Sequence, residues 1–187
     1  MNSADYRILR TGAGRIDLAG RGWLAVTGHD RADFLQGLLS NDIVSLSPGR
    51  GCYATCLTPQ GRMTADMYVL ADRDRLLLDV DGSVAEGLRG RFDDLVFTED
   101  VRIENLTAKW AACGVHGPGA GGVVATLQGA AAGLSAIGEH GAFDFEAGPG
   151  LVARTDDLGI EGYRVIVERS AVESLQRTLA AAGAVAG

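Results

Sequence analysis

Between Gly51 and Asp81 three largely apolar segments are separated by two polar turn segments, and this stretch predicts a three-stranded meander. Cys52–Thr58 is the first strand, Arg62–Ala71 the second and Arg75–Val80 the third. Pro59-Gln60-Gly61 and Asp72-Arg73-Asp74 carry the residue types that reverse a chain tightly. With side chains alternating along the middle strand, Thr64, Asp66, Tyr68 and Leu70 share one face, and Met63, Ala65, Met67 and Val69 the other. One face therefore carries a lone acid, Asp66. An acid in mid-strand sits on a solvated face or in a pocket where its ionisation is paired or shifted. Spacing alone favours the solvated face.

Around this meander the pattern predicts further elements. Residues 1–20 are polar and Gly-spaced and read as an extended lead-in. Trp23–Thr27 is a short strand, and Asp30 caps a helix from Arg31 to about Ser40 whose apolar face holds Phe34, Leu35, Leu38 and Leu39. Ile43–Leu46 is extended. Ser83–Asp93 is a helix with Val84, Leu88 and Phe92 in helical register, and Val101–Asn105 is a strand. From Leu106 the pattern restarts. It gives a strand at Lys109–Val115, a helix from Pro118 to Gln128 and strands at Ala142–Glu146, Leu151–Arg154 and Tyr163–Glu168. Ser170 then caps a last helix, Ala171–Ala182. Gly129–Gly141 has no period and reads equally as helix or loop. The whole predicts an α+β chain: a first subdomain over 21–105 and a second, ferredoxin-like one over 106–187.

At 187 residues with 47% apolar content, the chain can bury one core or two small ones. The formal charge of −7 argues against a nucleic-acid groove, and no stretch approaches the roughly 20 apolar residues of a membrane helix. The N-terminus lacks the apolar core of a secretory signal. Three cysteines make no disulfide framework, which suits a reducing cytoplasm.

Few residues have the spacing of reactive groups. Cys52 and Cys56 would point the same way along one strand but lie roughly 13 Å apart, too far to share a metal or a disulfide. They and Cys113 read as core thiols. His29, His116 and His140 each adjoin a glycine and show no metal-ligand spacing. Gly117 to Gly122 lies between a strand and a helix, yet it contains Pro118 and departs from the dinucleotide-binding register.

Taken in order, the motifs are similar to a known family. Trp23 to Asp30, Phe34-Leu35-Gln36-Gly37, Ser40-Asn41-Asp42-Ile43 and Leu57-Thr58-Pro59-Gln60-Gly61-Arg62-Met63 resemble the opening of YgfZ-type folate-binding proteins, sisters of the glycine-cleavage T-protein, an aminomethyltransferase. Trp110–Gly119 and Gly159–Glu168 continue the resemblance, which spans about Gly22 to Ala182. It implies the aminomethyltransferase folate-binding fold, two small mixed α/β-sandwich subdomains around a tetrahydrofolate pocket. T-proteins transfer a one-carbon unit to that folate, whereas YgfZ-type proteins support iron–sulfur cluster assembly or repair without catalysing transfer.

The resemblance also implies site residues. T-proteins carry paired acids on the second meander strand, the first of them catalytic, and here the pair reads Ala65-Asp66. Their pterin-binding glutamate corresponds to Arg164. The YgfZ signature Lys-Gly-Cys-Tyr-x-Gly-Gln-Glu falls beyond residue 187. These departures imply a short, non-catalytic, tetrahydrofolate-binding member whose partners are iron–sulfur enzymes or assembly proteins. Asn41, Arg62, Met63, Tyr68, Tyr163 and Arg164 would contact folate, with Tyr53 beside them, and Asp66 would be catalytic only in an enzyme. Two alternatives are a folate-dependent one-carbon transferase and a non-catalytic subunit like the small subunit of a sarcosine-oxidase-type complex. A half-fold with an uncovered apolar face is expected to dimerise or bind a partner.

Overall fold

A computed structural model describes residues 3–127 and 133–186. The chain divides into two compact units, each a sheet with helices on one face. The first comprises Gly20–Ala108, and the second combines Met1–Ala19 with Lys109–Gly187.

In the Gly20–Ala108 unit, β2 (Arg21–Thr27), β3 (Gly51–Leu57), β4 (Met63–Ala71), β5 (Arg75–Asp81) and β6 (Arg102–Asn105) form a sheet in the order β3-β4-β5-β2-β6. The meander is antiparallel throughout, with a register shift between Cys56 and Leu57. Helices α2 (Arg31–Gln36) and α3 (Gly82–Asp93) cover one face. Val26, Cys56, Met67, Val69, Leu78 and Val80 point into the core there, against Leu35, Leu88 and Phe92. The Asp81 carboxylate accepts from the Ser83 hydroxyl and from the Ser83 amide, which caps α3; these hydrogen bonds, the hydroxyl's first, hold its pKa below the usual carboxylate value.

Two local expectations in this unit change. Asp30 stands at the N-cap position of α2, but its carboxylate accepts from the Asp100 amide instead of from the helix. Ile43–Leu46 is not a strand, because the Gln36 side-chain carbonyl takes the amides of Ile43 and Val44 and folds the segment locally.

In the other unit, β1 (Gly14–Asp17), β7 (Trp110–His116), β8 (His140–Phe145), β9 (Gly148–Thr155), β10 (Gly162–Glu168) and β11 (Val185–Ala186) form a sheet in the order β11-β1-β7-β10-β9-β8. Helices α4 (Ala120–Val124) and α5 (Val172–Ala181) pack on the face carrying Cys113, Val115, Val152, Val165 and Val167. The expected extended lead-in is instead a helix, α1 (Ser3–Thr11), followed by β1. The two pack closely: a Cβ on Gly14 would stand 2.7 Å from the end of the Leu9 side chain. The helix expected over Pro118 to Gln128 shortens to α4, and its last residue lies outside the described residues, as does part of Gly129–Gly141. Ser170 does not cap α5. A short 3-10 turn, Arg169–Ala171, leads into it without a side-chain cap.

Candidate functional site

The face of the β3-β4-β5-β2 sheet opposite its helices holds the chemistry. Cross-strand pairing sets Tyr53, Tyr68, Asp79 and Trp23 in one row across four strands. Beside that row, Thr55 pairs with Asp66. Period-2 alternation puts Asp66, Tyr68 and Leu70 on this face and Ala65, Met67 and Val69 in the helix-side core. The position that the resemblance matches to the catalytic acid, Ala65, therefore points to the helix side of the sheet, away from Tyr53 and Tyr68. On the opposite face Trp23, Asp79 and Tyr68 are buried, and Asp66 stands at its open edge beside the exposed Tyr53.

Asp66 is half-buried and accepts a hydrogen bond from the Tyr53 hydroxyl at 3.0 Å. The Tyr53 ring is 48% exposed and meets the Tyr68 ring edge-on, centroids 5.6 Å apart at 69°. Partial burial and the bond to Asp66 push the Tyr53 phenol above its ordinary pKa, so it stays a donor at neutral pH. Asn41 donates from its side-chain amide to the Tyr53 carbonyl at 2.8 Å, and the Ser40 hydroxyl accepts from the amide and hydroxyl of Thr55. These bonds fix the edge strand beneath Tyr53. The Asn41 amide group is thus committed to backbone next to the site.

Deeper in the row, Asp79 is 1% exposed, and Arg21 Nε donates to its Oδ1 at 2.7 Å. The guanidinium also donates to the Asp79 carbonyl at 2.9 Å. This pair was not singled out in the sequence. Its signal is an acid inside the apolar run Leu76-Leu77-Leu78-Asp79-Val80, since a buried carboxylate requires a cation.

The other sequence-predicted contacts disperse. Arg62 and Met63 lie at the β3–β4 turn, both exposed, Met63 at 62%. Tyr163 and Arg164 belong to the other unit and point to opposite faces of β10. Tyr163 lies in the helix-side core, its hydroxyl donating to Glu161 at 3.0 Å and accepting from Arg154 at 2.9 Å. Arg164 is 6% exposed and donates to Asp157 Oδ2 at 2.7 Å and 3.1 Å. One face cannot use both residues. All three cysteines are free thiols: Cys56 and Cys113 are buried, and Cys52 packs against the same core as Cys56. Burial raises the pKa of both Cys52 and Cys113 above the ordinary thiol value, which makes them poor nucleophiles. Among the described residues no three His, Cys, Asp or Glu side chains cluster to hold a metal ion, and no helix is long and apolar enough to cross a membrane.

With the meander and its acid in place, the whole length, residues 1–187, matches the family model described as the GCVT N-terminal domain. The chain belongs to the GCVT N-terminal domain family. This GCVT domain is 31% identical over 184 residues to an aminomethyltransferase of Rubrobacter xylanophilus, covering 97% of the chain and 49% of that protein. It is 29% identical over 168 residues to the aminomethyltransferase of Bacillus subtilis, covering 86% and 45%. The chain thus spans about half the length of the curated relatives it matches. Its fold matches the glycine cleavage system aminomethyltransferase T of Bartonella henselae with a TM-score of 0.80, at 18% identity over 94% of this chain and 47% of that one. It also matches a chain of the heterotetrameric sarcosine oxidase of Corynebacterium sp. U-96, with a TM-score of 0.64 at 17% identity over 96% of this chain and 89% of that one. At these identities the two structures establish the fold alone.

Proposed function

We propose that this GCVT domain binds tetrahydrofolate, with the Tyr53–Asp66–Tyr68 face taking the flat end of the folate and Asp66 as its acid. The observation that carries the reading is the placement of Asp66. It is a half-buried carboxylate at the open edge of that face, oriented by the hydroxyl of the exposed Tyr53, whose ring packs on the buried ring of Tyr68. Flat heterocycles bearing N–H donors fit such a lining, where apolar walls give affinity and one or two polar groups give orientation. Asp66 can accept N–H donors or hold a proton at Oδ1, the oxygen not engaged by Tyr53. Arg62, exposed at the adjoining turn, is a candidate cation for the carboxylates of a folate tail. Bound folate would supply the one-carbon acceptor.

The relatives named aminomethyltransferase support the transferase form of this reading, and a GCVT domain retaining an acid on that face supports it further. The accessory role in iron–sulfur cluster assembly, with iron–sulfur enzymes or assembly proteins as partners, rests on the YgfZ-type motif order from Trp23 to Ala182. It shares the folate site and omits the transfer. Calorimetric titration with tetrahydrofolate tests what the two have in common. Saturable binding that weakens in Asp66→Asn supports the site, and no heat at high-micromolar ligand removes it. A one-carbon transfer assay on the same protein then separates them: turnover dependent on Asp66 selects the transferase, and binding without turnover selects the accessory role.

A further inference from the structure

Arg15 carries a buried donor with nothing to meet. Its backbone is held on both sides, paired with Val115 of β7 and Ala186 of β11. Sharing a register position with Val115, its side chain stands on the face where α5 packs. There its Nε is buried without a hydrogen-bond partner. Arg177, exposed on α5, lines the same place. Among the described residues neither guanidinium is paired with a carboxylate. A buried charged donor is costly to leave unmet, and a guanidinium is a forked donor suited to oxygen anions.

Between β1 and α5 lie hollows of about 400 and 130 Å³ that share Arg15 and Gln176. Arg177 and Glu173 stand at the larger, Cys113 and Asp17 at the smaller. Asp17 is already engaged, its carboxylate accepting from the Ala19 amide at 2.9 Å. Glu173 precedes Arg177 on α5 by the four residues of a helical ion pair, yet the two do not pair among the described residues. The larger hollow thus holds two cations against one acid. A monocarboxylate satisfies a single guanidinium. Two of them, with the Gln176 amide alongside, suit an anion that carries two charges and presents oxygens in several directions. A phosphomonoester is such an anion near neutral pH. The larger hollow exceeds a bare phosphate ion, so the organic part of an ester has room beside its phosphate.

We propose that this hollow binds the phosphate of a small phosphomonoester, with Arg15 and Arg177 on its oxygens. The site lies wholly within the unit that combines Met1–Ala19 with Lys109–Gly187 and does not rest on the folate reading. The test is calorimetric titration of the whole chain with two esters, ribose 5-phosphate and phenyl phosphate, and with inorganic phosphate and ribose as comparisons. Saturable binding of at least one ester is expected, with inorganic phosphate weaker and ribose silent. Arg177→Gln, a change at an exposed position, weakens the ester about 10-fold or more, and Arg15→Gln does the same. Glu173→Gln removes the opposing acid and tightens binding a few-fold. No saturable binding of either ester at millimolar concentration overturns the proposal, as does binding that Arg177→Gln leaves unchanged. Ribose binding as tightly as its phosphate overturns it too, because charge would then play no part. Inorganic phosphate binding as tightly as both esters overturns the assignment to an ester.

Discussion

The Tyr53 hydroxyl reaches diagonally across two antiparallel strands to Asp66 Oδ2, 3.0 Å away, although its direct cross-strand neighbour is Tyr68. That diagonal bond selects one rotamer of the carboxylate and leaves its other oxygen for a ligand.

Asp66→Asn keeps the shape of the site and removes its charge. Tetrahydrofolate affinity is expected to fall about 10- to 100-fold, the range for losing a hydrogen bond to a charged group. Tyr53→Phe removes only the orienting donor and is expected to cost a few-fold. Calorimetry on both variants checks the order, and equal affinities in all three proteins would contradict it.

Gly28 adopts φ +103°, and a Cβ there would stand 2.0 Å from the Asp100 carbonyl oxygen. Gly28→Ala combines left-handed strain with a backbone clash, so an unfolding free energy lower by at least about 2 kcal/mol is expected. Urea titration measures it, and Gly87→Ala, with nothing near its Cβ position, serves as the harmless comparison.

The Arg21–Asp79 pair should behave as a buried ion pair. Arg21→Met removes the cation beside a carboxylate that is 1% exposed, with an expected loss of about 3–5 kcal/mol. The double change Arg21→Met with Asp79→Leu should recover most of that loss, because no buried charge then remains. Chemical denaturation of the three variants decides it. Equal stability of the single and double variants would mean that the charge is not what matters.

Burial pushes the His116 imidazole below its ordinary pKa of 6.5, against a smaller opposing influence from Asp157. Below that value the unfolded chain takes up a proton that the folded chain resists. Stability is therefore fully present above about pH 6.5 and declines as the pH falls towards the lower folded value. His116→Gln should flatten this dependence. Melting temperatures of both proteins from about pH 8 to about pH 5 give the comparison, and parallel curves would exclude His116 as the source.

The meander was legible to within a residue or so at each strand end, because Met67–Ala71 and Leu76–Val80 are nearly continuous buried runs bounded by the turn residues Pro59-Gln60-Gly61 and Asp72-Arg73-Asp74. The alternation of side chains along a strand put Asp66 and Tyr68 together. What sequence missed depends on distant partners. β1 is four residues long and pairs with β7 and β11, so nothing near it in sequence announces a strand. The Asp30 carboxylate had a local use as a helix cap but is taken by the Asp100 amide, which proximity in sequence cannot reveal. Tyr163 and Arg164 were grouped by the resemblance, yet neighbours on a strand face opposite ways.

The interleaved connectivity has a consequence for synthesis. β1 leaves the ribosome early, but its partner β7 begins only at Trp110, after the entire Gly20–Ala108 unit. That middle unit is continuous and can complete its hydrogen bonding while β1 still waits as a bare edge. A waiting edge invites pairing with other nascent chains. Brevity and the charges of Arg15 and Asp17 make this one a poor template, so the chemistry of four residues guards against the misassembly that the order of translation invites.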